Sequence, residues 1–205
     1  KRGAPYKNVI SFGLLLDKHG QKMSKSKGNT VDPWLIVKKY GADVVRWHFF
    51  TVNDPGDVKR FDETELLKVF RKFHMIFYNS FVFLKTYYKD SGVKPKLNYS
   101  KNLLDKWIVA RWHEILASIT KKLDKYEIVS AARSLEEFLD DLTHWYIRRS
   151  RKRFSSPESQ ADFRSAGATL TFILSEFSKA VAPFCPFLAE AIYLALNNGE
   201  QSVHL

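Results

Sequence analysis

The chain has 205 residues, of which 45% are hydrophobic and 15% aromatic, enough apolar material for a packed core and too much for a disordered polymer. A single cysteine, Cys185, excludes an internal disulfide framework, six histidines without ligand spacing give no metal site, and no apolar run reaches membrane-spanning length. The net charge of +11 is uneven, with ten Lys and Arg against three acids in residues 1–50 and two against five in residues 154–205, which points to nucleic acid and away from membrane.

The opening Lys1-Arg2-Gly3-Ala4-Pro5 has no apolar signal region and no initiator methionine. A piece of a larger or processed protein is expected, in a reducing, cytoplasmic setting. Val9, Ile10, Phe12, Leu14, Leu15 and Leu16 form a short apolar run that predicts a buried strand. Asp17-Lys18-His19-Gly20 predicts a turn. Lys22-Met23-Ser24-Lys25-Ser26 follows and continues Lys27-Gly28-Asn29. Two lysines flank two small hydroxyl residues, and a glycine then lets the backbone turn. Such a loop can wrap a polyphosphate, with ammonium groups as point charges and hydroxyls and backbone N–H groups as donors. Asp32-Pro33 predicts the start of a helix that ends at Tyr40-Gly41, and a second short helix covers Ala42 to Trp47. The basic loop therefore hangs between a strand end and a helix start, a common position for a phosphate site in an α/β enzyme.

The stretch around Pro55-Gly56 lacks periodicity and predicts a linker over residues 53–61. Asp62 then caps a long helix with Leu66, Val69, Phe70, Phe73, Phe77, Phe81 and Leu84 at spacings of three and four. Residues 90–100, with Asn98 and Tyr99, predict a loop. Further helices are predicted over about 102–123, 128–154 and 161–181, and a last one over 187–197 follows the break at Pro183 and Pro186. Short connections imply antiparallel neighbours. The expected fold class is mainly α: an antiparallel helical bundle over 62–205, preceded by a short α/β piece over 1–52. At this periodicity the aromatic stripes read as core, not as base-stacking platforms, with Trp107, Phe138, Trp145 and Phe177 among the buried anchors.

One stretch departs from the bundle pattern. Arg148, Arg149, Arg151, Lys152 and Arg153 put five cations into six positions. At about 100° per residue they cannot share one face, so they are expected to ring the helix end. One or two cations would offset a helix dipole. Five suggest a phosphate backbone as partner, with Glu136, Asp140 and Asp141 as the competing intramolecular acids.

Lys22 to Ser26 with its flanks resembles the KMSKS signature loop of class I aminoacyl-tRNA synthetases. An α/β piece followed by a helical bundle resembles the C-terminal part of the isoleucine, valine, leucine and methionine group. Tyr40-Gly41-Ala42-Asp43-Val44-Val45-Arg46-Trp47, Asn53-Asp54-Pro55-Gly56-Asp57, Val69 to Phe73 and above all Trp145 to Phe154 are most similar to the isoleucine-specific branch, while Ala182 to Glu190 is shared more widely across the group. The resemblance covers nearly the whole chain. Lys27 departs from the leucine many relatives carry, and the family's His-Ile-Gly-His signature is absent from these 205 residues. The resemblance implies the end of a catalytic domain (1–52), a linker (53–61) and a C-terminally truncated anticodon-binding domain (62–205). It implies ATP contact by Lys22, Met23, Ser24, Lys25 and Ser26, with Lys25 and then Lys22 as catalytic cations and Mg²⁺ accompanying ATP. With a tRNA as the expected partner, the charge density of Arg148, Arg149, Arg151, Lys152 and Arg153 makes that cluster the candidate tRNA contact, and the cysteine and histidine pattern predicts no resident metal. A monomeric piece, inactive alone and dependent on the remainder of the synthetase chain, is expected. A fragment of the valine or leucine enzymes, or a non-catalytic RNA-binding module, is the alternative.

Overall fold

The computed structural model describes residues 3–88, 100–197 and 201–205. The expected loop with Asn98 and Tyr99, and Gly199 after the last helix, lie outside the described residues. Two short strands, β1 (Leu15–Leu16) and β2 (Lys59–Arg60), pair in parallel, Leu15 opposite Lys59 and Leu16 opposite Arg60. Between them lie α1 (Pro33–Tyr40) and α2 (Ala42–Thr51). After β2 come α3 (Glu63–Val69), a π segment (Phe70–His74), α4 (Met75–Tyr87), α5 (Leu103–Leu123) and α6 (Ile128–Asp140). A second π segment (Asp141–Ile147) leads into α7 (Arg148–Ser155), followed by α8 (Gln160–Val181) and α9 (Pro186–Leu196).

The expected helix starts are present with their side-chain caps. Asp32 accepts from the Trp34 amide and Asp62 from the Thr64 amide, while Asn102 accepts from the Leu104 amide. Each satisfies an amide that the first helical turn leaves without a partner. Two expectations in the N-terminal part are corrected. The apolar run from Val9 is not a buried strand: only Leu15 and Leu16 pair, and Val9, Phe12 and Leu14 are exposed. Their neighbour β2 is only two residues long, and no other strand among the described residues offers a layer to cover them. Nor is the 53–61 stretch a free connector. Lys59 donates to the Leu14 carbonyl and Phe61 to the Leu16 carbonyl, so the chain returns to β1. The Lys59 ammonium donates to Asn53 Oδ1 and to the Asp54 carbonyl, holding the turn closed. Gly13 lies so close to this turn that a Cβ would fall 2.1 Å from the Asp57 carbonyl oxygen, which only glycine avoids.

A small apolar cluster of Ile36, Val44, Phe61 and Leu66 unites α1, α2 and the start of α3. The main core runs through the bundle, and it includes Trp47 from α2. That indole is fully buried and stacks on Phe73, ring centroids 3.7 Å apart. Its Nε1 donates to Glu136 Oε1 on α6, and the other Glu136 oxygen accepts from the Lys72 ammonium. Asp43 receives the Leu188 amide at 2.7 Å and so caps α9 from across the joint. Arg46 donates to the carbonyls of Pro183 and Phe184, and Arg133 donates to those of Thr51 and Val52 at the end of α2. The α/β piece is thus fastened to the bundle at both ends of one helix.

The π segments shift the aromatic rows. Phe138 and Phe177 are fully buried as expected, but Trp107 is only partly buried and Trp145 is 52% exposed. The π segment widens the turn, so the inward row runs Leu142, Tyr146, Ser150 and Phe154 at a constant spacing of four. Trp145 is carried outward. Trp112 and Trp47 fill the core positions instead.

Beside Tyr146 lies a buried ion cluster. Asp105 is 1% exposed and receives Ser100 Oγ, Tyr146 Oη and both terminal nitrogens of Arg153. Arg153 also donates to both carboxylate oxygens of Asp162. Burial alone would push the Asp105 carboxyl up; the bonds from Arg153, Ser100 and Tyr146 outweigh it and hold the group below its ordinary range. This cluster ties α5, α7 and α8 together.

Arg153→Ala should lower unfolding stability by about 3 kcal/mol or more, because a buried carboxylate loses its partner. Arg151→Ala, an exposed neighbour with no carboxylate partner among the described residues, should change it by less than about 0.5 kcal/mol. Urea unfolding of the two variants measures the contrast. A second prediction concerns His74, buried against Phe73 with Nε2 3.6 Å from the Cys185 thiol. Burial lowers its pKa from 6.5 to about 4. Between these values the unfolded chain binds a proton that the folded chain refuses, so stability is full above about 6.5 and falls as pH drops toward 4. The gap corresponds to about 3 kcal/mol. Urea midpoints measured from pH 7 to pH 4.5 should fall less steeply for His74→Gln than for the parent.

Candidate phosphate loop and nucleic-acid interface

The loop after β1 is built on two polar side chains. Asp17 Oδ1 accepts from the amides of His19 and Gln21, and Asp17 Oδ2 accepts from Asn29 Nδ2 at 2.8 Å. Asn29 Nδ2 also reaches the Lys22 carbonyl, and Asn29 Oδ1 accepts from the Ser24 amide at 2.9 Å. The two ends of the loop are therefore clasped together by one carboxylate and one amide. The Gln21 amide first and the Asn29 side chain next keep the Asp17 carboxyl below its ordinary range. Within the clasp, Ser24 is extended, Lys25–Lys27 form one 3₁₀ turn, and Gly28 closes it in the left-handed region with φ 65°. Ser24 and Ser26 hydroxyls lie 3.3 Å apart.

Lys22, Lys25 and Lys27 are all exposed, and among the described residues none of their ammonium groups pairs with a carboxylate. Unpaired cations on a braced loop keep their full charge available to a polyphosphate. The Met23 side chain packs against the Ile36 and Phe61 cluster and anchors the loop. The Asp17–Asn29 clasp was not anticipated from the sequence. The only signal was the pairing of an Asp before one glycine turn with an Asn after another, and that pattern does not reveal that the two side chains meet.

The basic helix divides its cations. Arg148, Arg149, Arg151 and Lys152 are exposed on α7. Arg153 is corrected: its guanidinium points inward to Asp105 and Asp162 and is not available to a phosphate backbone. Its turn is the one that follows buried Ser150 and precedes buried Phe154, so it faces the bundle. Lys152 pairs with Glu158, both exposed, an arrangement worth little in water. The acids expected to compete are engaged elsewhere. Glu136 holds Trp47 and Lys72, and Asp141 receives Arg111, which also pairs with Glu114 and Glu137. Asp140 lies 3.7 Å from His144. The Arg149 guanidinium sits 4.8 Å over the Trp145 ring.

Asn29→Ala should release the clasp. The Ser24 amide should then exchange with solvent about fivefold faster or more, the effect of one lost hydrogen bond of ordinary strength, while amides of α5 and α8 keep their protection. Native-state hydrogen exchange measures both.

The family described as "tRNA synthetases class I (I, L, M and V)" matches residues 1–61, and the "Anticodon-binding domain of tRNA ligase" matches residues 105–205. The isoleucine–tRNA ligase of Clostridium novyi is 42% identical over 98% of this chain and 20% of its own length. That of Deinococcus radiodurans is 42% identical over 98% of this chain and 19% of its own. The chain therefore spans about a fifth of the curated relatives it matches. Among solved structures, a ternary complex of Agrobacterium radiobacter K84 LeuRS with tRNA and LeuAMS superposes with TM-score 0.71 at 19% identity, over 94% of this chain and 22% of that one. Mycobacterium tuberculosis methionyl-tRNA synthetase with methionyl-adenylate gives 0.70 at 20% identity, over 87% and 36%. The two family models, over residues 1–61 and 105–205, and the isoleucine–tRNA ligase relatives over 98% of the chain show that this chain belongs to the class I aminoacyl-tRNA synthetases of the isoleucine, leucine, methionine and valine group.

Proposed function

We propose that the chain is the part of an isoleucine–tRNA ligase that supplies the ATP-phosphate loop and the seat of the tRNA anticodon arm. The observation that carries this reading is the clasped loop itself: its lysines are exposed and unpaired, and α2 fastens it to a bundle with its own exposed cations. Isoleucine ligases matching 98% of the chain at about 40% identity support the amino acid. In this reading residues 1–52 close the catalytic domain, residues 53–61 return to it through β2, and residues 62–205 form the anticodon-binding domain. The remainder of the synthetase chain supplies the amino-acid and adenine pockets, and the protein works as a cytoplasmic translation enzyme.

In the intact enzyme the isoleucine carboxylate attacks the α-phosphate of ATP, the bond to the β-phosphate breaks, and pyrophosphate leaves. Negative charge gathers on the leaving oxygens as that bond breaks. The Lys25 ammonium, at the start of the 3₁₀ turn, is the group assigned to meet this charge, with Lys22 beside it. A cation that meets transition-state charge more strongly than ground-state charge accelerates the step. Ser24 and Ser26 hydroxyls shape the turn and donate to phosphate. Mg²⁺ would accompany the nucleotide. The aminoacyl group then passes to the tRNA 3′ end, while Arg148, Arg149, Arg151 and Lys152 contact the backbone of the RNA.

In the full-length enzyme, Lys25→Ala should slow isoleucyl-adenylate formation by roughly 10²-fold or more, the cost of removing a comparable electrostatic stabiliser, with isoleucine affinity nearly unchanged. Single-turnover quench-flow measures the rate and equilibrium titration the affinity. An unchanged rate would reject the assignment.

A further inference from the structure

The residues of the loop after β1 divide into two sets. Asp17, Met23, Ser24 and Asn29 are half-buried, whereas Lys22, Lys25, Ser26, Lys27 and Gly28 are exposed. The half-buried set does the holding. Met23 packs on the Ile36 and Phe61 cluster. The Asn29 side chain donates to Asp17 Oδ2 at 2.8 Å and to the Lys22 carbonyl at 3.3 Å, and accepts from the Ser24 amide at 2.9 Å. Asp17 is itself fixed, because it follows β1 directly and its Oδ1 accepts from the His19 and Gln21 amides. Each of these hydrogen bonds ends inside residues 17–29.

A hydrogen bond in a partly exposed loop replaces one to water and adds little net stability. The clasp therefore contributes shape more than fold energy, and the shape it sets is the one around two lysines. Ser24 is held on both sides, its amide by Asn29 and its carbonyl by the Lys27 amide at 3.2 Å. Lys25 is the next residue and opens the 3₁₀ turn. Lys22 has its carbonyl on Asn29 and a bridge to Leu16 of β1. One amide side chain thus fixes the backbone at Lys22 and immediately before Lys25. A lysine ammonium rides on a flexible stem, so its aim depends on where its backbone is held. In a reacting site a misplacement of about 1 Å costs about 10²-fold in rate.

We propose that Asp17 and Asn29 are positioning residues of the adenylate-forming step: their clasp fixes the backbone on either side of Met23, so that Lys22 and Lys25 are presented together to the departing pyrophosphate. The proposal rests on the ATP-phosphate reading of the loop above and adds to it the side chains through which the lysines are aimed.

The test is single-turnover adenylate formation by the full-length enzyme, with Asn29→Ala, Lys25→Ala and the two combined forming a double-mutant cycle. Asn29→Ala should slow the step about tenfold or more. The KM for ATP should change less than about threefold, because the lysines act mainly on charge that develops as the bond breaks. In the Lys25→Ala background the same substitution should slow the step less than about threefold, since the group it aims has gone. The paired exchange of Asp17→Asn with Asn29→Asp keeps the net charge and places a donor opposite a carboxylate again, while the Ser24 amide keeps an acceptor. The exchanged pair should therefore react faster than either single substitution. Protection of the α5 and α8 amides in hydrogen exchange serves as the folding control. Equal slowing by Asn29→Ala with and without Lys25 would overturn the positioning role, while the loss in Lys25→Ala alone leaves the phosphate reading standing. A parental rate in Asn29→Ala would overturn the positioning role as well. A parental rate in Lys25→Ala would overturn the phosphate reading and this inference with it.

Discussion

The structure depends on one helix belonging to two cores. α2 offers Val44 to the small cluster under the phosphate loop and Trp47 to the centre of the bundle. Burying a tryptophan from one unit inside another commits some of the largest apolar area a side chain can bring. The polar contacts around it then fix the angle. Asp43 caps α9, Arg46 holds the carbonyls before it, and Arg133 meets the carbonyls at the end of α2. Burial pushes the Asp43 carboxyl up although the α9 amides it receives favour its charge, which marks how far the joint is withdrawn from water. The basic loop and the bundle are thereby joined through α2 by packing as well as by polar contacts.

Charge is handled in two opposite ways within a few residues of α7. Arg153 is drawn into a buried cluster with Asp105 and Asp162, where it fixes the register of three helices. Arg148, Arg149 and Arg151 stay in solvent without carboxylate partners among the described residues. The sequence presents these side chains as one run of like residues. Their division follows from helix phase alone, because the row Tyr146, Ser150, Phe154 faces inward and Arg153 lies beside its end. The same phase turns Trp145 outward. Buried, paired cations and solvent-facing ones thus alternate along a single turn, and a count of cations in this segment overstates those left in solvent.

Much of the fold was legible because its signals are local. Asp32, Asp62 and Asn102 are caps that a reader can find by residue type and spacing, and the helices they open follow to within a residue or two. The phosphate loop was legible as a motif, and its lysines sit in solvent where charge can act. What was not legible depended on backbone hydrogen bonding or on distant neighbours. A π segment has no side-chain signature, so the exposure of Trp145 could not be read from a 3.6-residue period. The run from Val9 looks like a buried strand because apolar alternation carries no record of which partner strands lie alongside. The inward turn of Met23, the clasp between Asp17 and Asn29 and the pairing of Arg153 with Asp105 all join residues by geometry, and each requires the folded chain to be seen.

The parallel pairing of β1 with β2 has a further consequence, which concerns the order of events in time. The two strands close a long loop that contains the Lys22 to Ser26 segment, and such closure must overcome chain entropy before its few ladder bonds form. The bundle is made of helices with near neighbours in sequence, the kind of contact that forms quickly. Trp47 finds its place only when Phe73, Glu136 and Phe184 are assembled. Within this chain, α2 is synthesised before α6 and the segment leading into α9, so the joint of α2 with the bundle closes only after those later partners have been made.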